Sequence, residues 1–350
     1  MPSGLKSKLD IFVILPKSFK DLIPLSEDYK ILEPEFNTSN ILARSIWHKL
    51  YLPMLLRKIG CDILYCPGGY LPVKVGTKTK TAVAFQNMLP FDDSQRKLHP
   101  YGYTRARLRL LREIQSSSFK DADLVVFLSE YARSVIDKTV PKRIGKSVVI
   151  PHGLSDDFRQ ENLWHPAQLA GIEYILYVSI ITVYKAQLEV IKAWSRVRKM
   201  HNTALKLVLV GPEYGPYAKQ VRELIKSLRL EQEVIMLGHV PYPELPSFYQ
   251  NARINIFASS CENCPNILLE ALAGGKPVLC SNYPPMPEFG GDAVEYFDPY
   301  NVEELAYLIV KYLENEKLQR EMGAKAFERS LKFQWSVSAT LTWNALANLL

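Results

Sequence analysis

Short apolar runs, many of them β-branched, recur along this chain, and each is followed by a longer amphipathic stretch. The runs Leu124-Val125-Val126-Phe127-Leu128, Tyr174-Ile175-Leu176-Tyr177-Val178 and Leu207-Val208-Leu209-Val210 contain no polar residue. A strand that alternates apolar and polar residues has one wet face, whereas an unbroken apolar strand must be covered on both. Strands of this kind alternating with helices predict parallel sheets flanked by helices, the doubly wound α/β class. The strands are predicted at Lys8–Leu15, Asp62–Cys66, Thr81–Gln86, Leu124–Ser129 and Ser147–Pro151, then at Tyr174–Ser179, Lys206–Val210, Glu233–Leu237, Ile254–Ala258 and Pro277–Cys280. Helical patterns fall at Ile41–Lys58, Tyr103–Phe119, Glu130–Lys138, Gln187–Lys199, Tyr217–Leu228, Pro243–Asn251 and Pro265–Ala273.

A length of 350 residues suggests two domains, and 47% hydrophobic with 23% charged residues suits globular cores. The polar, weakly periodic stretch Asp156–Gly171 is the predicted junction. The expected division is 1–160, 161–333 and a terminal amphipathic segment, 334–350, that crosses back over the junction.

Charge divides unevenly across that junction. Residues 1–160 carry 25 Lys/Arg against 16 Asp/Glu, while residues 161–350 carry 18 against 20. The basic half concentrates charge on amphipathic stretches, Arg105, Arg107, Arg109 and Arg112 among leucines, and Lys49, Arg57 and Lys58 beside Trp47 and Tyr51. Such a face suits an anionic membrane surface, the plain alternative being a solvated basic face. Nucleic acid is not expected, because no aromatic–basic platform accompanies the charge. No apolar run approaches the ~20 residues of a membrane span, and the first residues lack a signal-peptide layout, so the expected location is cytoplasmic. The five cysteines are an odd number, and the single C-x2-C, Cys261 and Cys264, lacks the second pair or histidines of a zinc site. Asn37-Thr38-Ser39 is a glycosylation sequon, expected to be inert without secretion.

The segment Phe257–Val278 concentrates the chemistry. It reads as strand, loop, helix, glycine stop and strand, with Pro265 suited to a helix start and Gly274-Gly275 to a helix end. The loop carrying Glu262 then falls at the C-terminal edge of a sheet, where open α/β folds bind ligands. The helix would present N–H groups of Asn266, Ile267 and Leu268 to a phosphate. Glu262 and Glu270 flank that anion site, so hydroxyl recognition is their better reading.

Glu262 and Glu270 enclose seven residues, which resembles the Glu-x7-Glu signature of the retaining family 4 glycosyltransferases (glycosyl transferases group 1), whose fold is GT-B: two Rossmann-like domains facing a cleft. Ile175–Ser179 with Lys185, Leu207–Pro212, Leu237-Gly238-His239-Val240 and Phe333-Gln334-Trp335 resemble further segments of its donor half. Asp121–Glu130 and Ile150-Pro151-His152-Gly153 match its first half more loosely. The resemblance implies a nucleotide-sugar donor, UDP- or GDP-linked, a glycan or lipid-linked acceptor, retention of configuration, and no metal or cofactor. Glu270 would hold the ribose and Glu262 the donor sugar. Lys185 would neutralise the departing diphosphate, aided by amides at Asn266 to Leu268. Ser179 and Val240 would line the donor site, and Gln86 and Asn87 would face the acceptor. It also implies peripheral attachment to a membrane, and the D-x-D at Asp121–Asp123 is read as a turn.

Three positions depart from the family pattern. Ile180 or Ile181 stands where an Arg partners the Lys, Gln86 stands where many members carry a His, with His99 and His152 as alternatives, and Leu9–Leu15 reads as the second strand, as though an opening glycine loop were missing. These departures raise the alternative of a catalytically impaired partner subunit that binds nucleotide sugar. An epimerase or phosphorylase would need acid–base or cofactor residues for which no pattern is present.

Overall fold

The computed structural model describes residues 9–15, 19, 26–34, 40–76, 78–98, 102–140, 145–161 and 165–350. Lys8, the sequon at 37–39 and His99 lie outside the described residues.

In the first half, β1 (Phe12–Ile14) and β2 (Lys30–Leu32) form a parallel pair. β3 (Ile63–Cys66), β4 (Lys80–Ala84), β5 (Leu124–Phe127) and β6 (Lys146–Val149) form a four-stranded parallel sheet in that order. β5 is buried at every residue, as an apolar run covered on both faces requires.

The second half contains β7 (Tyr174–Val178), β8 (Lys206–Val210), β9 (Val234–Gly238), β10 (Asn255–Phe257), β11 (Val278–Ser281) and β12 (Glu295–Phe297). They form one parallel sheet in the order β12-β11-β10-β7-β8-β9. The chain winds outward from β7 to β9, returns to the other side of β7 as β10, and winds outward again to β12. Loops leaving β7 and β10 therefore diverge to opposite faces, which opens a crevice at their C-terminal ends.

All ten predicted strands are present: Lys206–Val210 keeps its predicted bounds, and the others are trimmed or displaced at their ends. β2 and β12 are additional. Each has three residues, opens on a charged side chain (Lys30 or Glu295) and lies outermost in its sheet, so neither makes an apolar run. The predicted helix Ile41–Lys58 is interrupted by a π turn, Trp47–Tyr51, just before Pro53. Proline has no N–H to donate to the preceding turn, so regular α pairing fails there. The predicted helix Pro243–Asn251 is a 3-10 turn, Tyr242–Glu244, followed by an α-helix, Leu245–Asn251.

Several contacts join the halves. The terminal helix Trp335–Ala347 lays Leu346 in a buried cluster with Ala82, Ala84, Leu124, Val126 and Ile150 of the first sheet. Leu154 N–H donates to Phe333 O (3.1 Å) and Ser338 Oγ to Pro151 O (2.7 Å) where this helix crosses the connection between halves. Glu288 of the second half accepts from Glu130 N–H (2.7 Å) and Tyr131 N–H (3.2 Å), placing a carboxylate at the positive end of the helix Glu130–Thr139.

Candidate active site

β7 leads through Ser179 into a short turn, Val183–Lys185, that ends on a buried lysine. Tyr177 hydroxyl donates to Lys185 O (2.6 Å) and fixes that turn from inside the sheet. The Lys185 ammonium forms an ion pair with Glu262 Oε1 from the loop after β10. It also lies 5.3 Å from the Phe257 ring centroid and 5.4 Å from that of Tyr184. Carboxylate and ring faces together replace the water this ammonium has lost. The two loops that meet here are those diverging from the switch point between β7 and β10.

Glu270 lies in the helix Asn266–Ala273 and is buried. Its Oε2 accepts from Tyr249 hydroxyl (2.8 Å). Burial pushes its carboxyl up to about 7, against the opposing pull of the Tyr249 and Tyr242 hydroxyls. Glu270 forms part of the wall of a cleft of about 260 Å³, together with Ser179, Ile180, Gly211, Val240 and Ile267. The site thus has two parts. An open cleft within the second half has Glu270 in its wall, while the Lys185–Glu262 pair lies beside the junction, where Cys261 and Tyr184 pack into a core cluster of the first half.

The helix start differs from its prediction. Pro265 is the residue before the helix, with ψ 75°, and Asn266 is the first helical position. Two of the three proposed amides are occupied within the loop, Asn266 N–H by Cys264 O (2.9 Å) and Leu268 N–H by Pro265 O (2.8 Å). Ile267 borders the cleft. Gly275, at φ 64°, takes the left-handed turn after the helix.

Gln86 and Asn87 are exposed and follow Phe85, whose carbonyl accepts from the buried Asn263 amide (2.7 Å). This brings the end of β4 against the loop that carries Glu262. Asn87 Oδ1 accepts from Leu89 N–H (3.1 Å), so this side chain shapes its own turn. Ile180 faces the cleft, whereas Ile181 is buried and pairs with Pro212 O. Among the described residues, no group of three His, Cys, Asp or Glu side chains could hold a metal ion. Asp123 accepts from Thr81 N–H and Oγ1 and pairs with Lys80, while Asp121 pairs with Lys74. All five cysteines are free.

Sequence reasoning does not single out Tyr249, Asn263 or the contact made by His152. His152 Nδ1 lies 3.1 Å from Asn266 Oδ1, and its ring lies 5.2 Å from that of Trp335. Burial lowers its imidazole, which the hydrogen bond to Asn266 opposes. The partners of these residues are 21, 178 and 114 positions away, and no local spacing signals such contacts.

Gly211 lines the cleft just after β8. It has φ 145°, and a Cβ there would lie 2.1 Å from Ser179 O. Gly211→Ala must push the end of β8 from that of β7, at an expected cost of about 1–3 kcal/mol. Thermal unfolding should show that loss, and ligand titration should show a cleft that no longer binds.

Two parallel α/β halves, with a buried lysine and two glutamates near the switch point of the second sheet, give the chain the GT-B fold. Residues 160–329 match the model for the family described as glycosyl transferases group 1. It is similar to the O-antigen chain mannosyltransferase B of Escherichia coli, 25% identical over 92% of this chain and 79% of that protein. It is also 23% identical, over 77% of its length, to the serotype-specific mannosyltransferase WbdA of E. coli, of which the match covers 34%. Among solved structures, sucrose-phosphate synthase from Thermosynechococcus elongatus superposes with a TM-score of 0.73 at 18% identity, over 93% of this chain and 85% of that one.

Proposed function

We propose that the protein transfers a hexose from a nucleotide sugar to a glycan or lipid-linked acceptor, with retention of configuration, in the synthesis of a cell-surface polysaccharide. The observation that carries this reading is the Lys185–Glu262 pair beside a cleft walled by Glu270. The ribose hydroxyls donate to the Glu270 carboxylate. The diphosphate runs past Ile267 at the helix start toward Lys185, and Glu262 receives hydroxyls of the donor sugar. As the glycosidic bond lengthens, charge grows on the leaving phosphate, and the Lys185 ammonium is already in place to stabilise it. The acceptor hydroxyl approaches from the Gln86 side and passes its proton to that phosphate, so no protein nucleophile is needed. A metal ion and a cofactor have no role in this scheme.

The names of the two E. coli relatives favour mannose and hence GDP-mannose as donor. The test is transfer to synthetic polyprenyl-diphosphate-linked glycans, with the product linkage read by NMR. An α-linked hexose supports the proposal, and a β-linked product overturns retention.

Attachment to the inner face of a membrane belongs to the same proposal. Ile46, Leu50, Tyr51 and Met54 are exposed on one helical stretch beside Lys49, Arg57 and Lys58. Among the described residues no helix is long and apolar enough to cross a membrane. Sedimentation with vesicles rich in phosphatidylglycerol should capture the protein at low salt and release it at high salt. Failure to bind at low salt contradicts the attachment.

A further inference from the structure

His152 lies where three segments cross. Gly153 beside it lets the backbone pass so close to Trp335 that an added Cβ would lie 2.0 Å from Trp335 N. Ser338 holds Pro151 on the other flank. The imidazole ring tilts against the Trp335 ring at 34° and points its Nδ1 at Asn266 Oδ1. An amide oxygen only accepts, so the hydrogen in this bond belongs to the His152 ring.

Asn266 is the first residue of the helix that carries Glu270, and its side chain is exposed. Its backbone N–H is already spent on Cys264 O. With Oδ1 held by His152, the carboxamide keeps one orientation, and its NH₂ group remains free to donate at the helix start. Without that bond the amide is free to rotate and can present its oxygen, a repulsive acceptor, to a phosphate.

We infer that His152 is a positioning residue for the donor: it orients the Asn266 carboxamide so that its NH₂ group binds the donor diphosphate. This rests on the reading of the cleft as a nucleotide-sugar site. The same histidine sits on the connection between the halves and against the terminal helix, so donor binding and the setting of the two halves share one hydrogen bond. The imidazole touches neither donor nor acceptor in this arrangement, and its effect falls on affinity for the diphosphate.

The test compares His152→Phe, His152→Gln, Asn266→Ala and the double variant His152→Phe/Asn266→Ala in the full chain. Phenylalanine keeps the ring against Trp335 and loses the donor, and glutamine restores an N–H donor. GDP, UDP and the corresponding monophosphates are titrated calorimetrically against each folded protein, with folding checked by thermal unfolding. The nucleoside diphosphate that wild type binds is expected to bind about five- to tenfold more weakly to His152→Phe, the effect of one oriented hydrogen bond. Asn266→Ala should match it, the double variant should be no weaker than either single one, and His152→Gln should recover most of the loss. Monophosphate affinity should change less, and donor KM should rise while kcat falls little. Unchanged diphosphate affinity in His152→Phe, or additive losses in the double variant, would overturn the inference. A wild type that binds neither GDP nor UDP would instead overturn the reading of the site.

Discussion

Lys185→Ala is expected to lower kcat by about a hundred- to a thousandfold, the loss that follows removal of one preorganised stabiliser of a developing anion. The ammonium is held by Glu262 and by the faces of Phe257 and Tyr184. It needs no rearrangement as charge grows on the leaving phosphate, which is why its contribution is large. Lys185→Arg should not restore activity, since a planar fork does not fit a pocket shaped around a compact ammonium. Removing one partner of a buried ion pair also strands the other, at a cost of about 3–5 kcal/mol. Glu262 retains 16% of its side-chain exposure, so the lower end of that range is expected. Lys185→Met/Glu262→Gln removes both charges and separates the two effects. It should unfold close to the wild-type temperature and remain inactive. Thermal unfolding and donor turnover on the three variants check this, and a stable double variant with near wild-type turnover would exclude the role given to Lys185.

The second large effect concerns Glu270. Its carboxyl is raised to about 7, with burial the dominant cause. A protonated carboxyl is a poor acceptor for two ribose hydroxyls, and the diphosphate diester of a nucleotide sugar does not titrate in this range. Donor affinity should therefore be constant above pH 7 and fall about tenfold per unit below it. The sign for stability runs the other way. The native state keeps its proton up to about pH 7, whereas the unfolded chain releases it near the ordinary 4.5, so the native state loses stability as pH rises through that window. Glu270→Gln should abolish both trends: donor binding becomes weak and independent of pH, and thermal stability at pH 8 rises above that of wild type. Titration calorimetry from pH 5.5 to 8.5 reads the first, and unfolding over the same range reads the second. A wild-type donor affinity that does not change with pH would remove Glu270 from the ribose site.

Most of the second half was legible in the sequence, because its signals are local. Apolar runs such as Tyr174–Val178 announce buried parallel strands, and the spacing from Glu262 to Glu270 is a fixed offset across one loop and one helix. Contacts that close the site were not legible, because they join distant segments. The pairing of Lys185 with Glu262 spans 77 residues, and that of His152 with Asn266 spans 114. The helix start shows a subtler failure. Proline does begin helices, but at Pro265 the backbone turns before the helix, so two of the expected free amides are bonded to their own loop. In the first half, β2 escaped notice because three residues opening on Lys30 carry no periodicity. The isoleucine at 180 marks chemistry that local pattern leaves open, since it lines the cleft without the charge that the family pattern brings there, while Gln86 is exposed just after β4.

The central claim is that the cleft at the switch point of the second sheet binds a nucleotide sugar for transfer. Calorimetric titration with a panel of UDP-, GDP- and ADP-sugars, repeated on Glu270→Ala, tests it most directly. The account predicts that wild type binds one donor, with the GDP-linked hexose favoured, that slow hydrolysis accompanies binding, and that both are lost in Glu270→Ala. Binding that survives Glu270→Ala unchanged, or no binding by any donor in the panel, would contradict it.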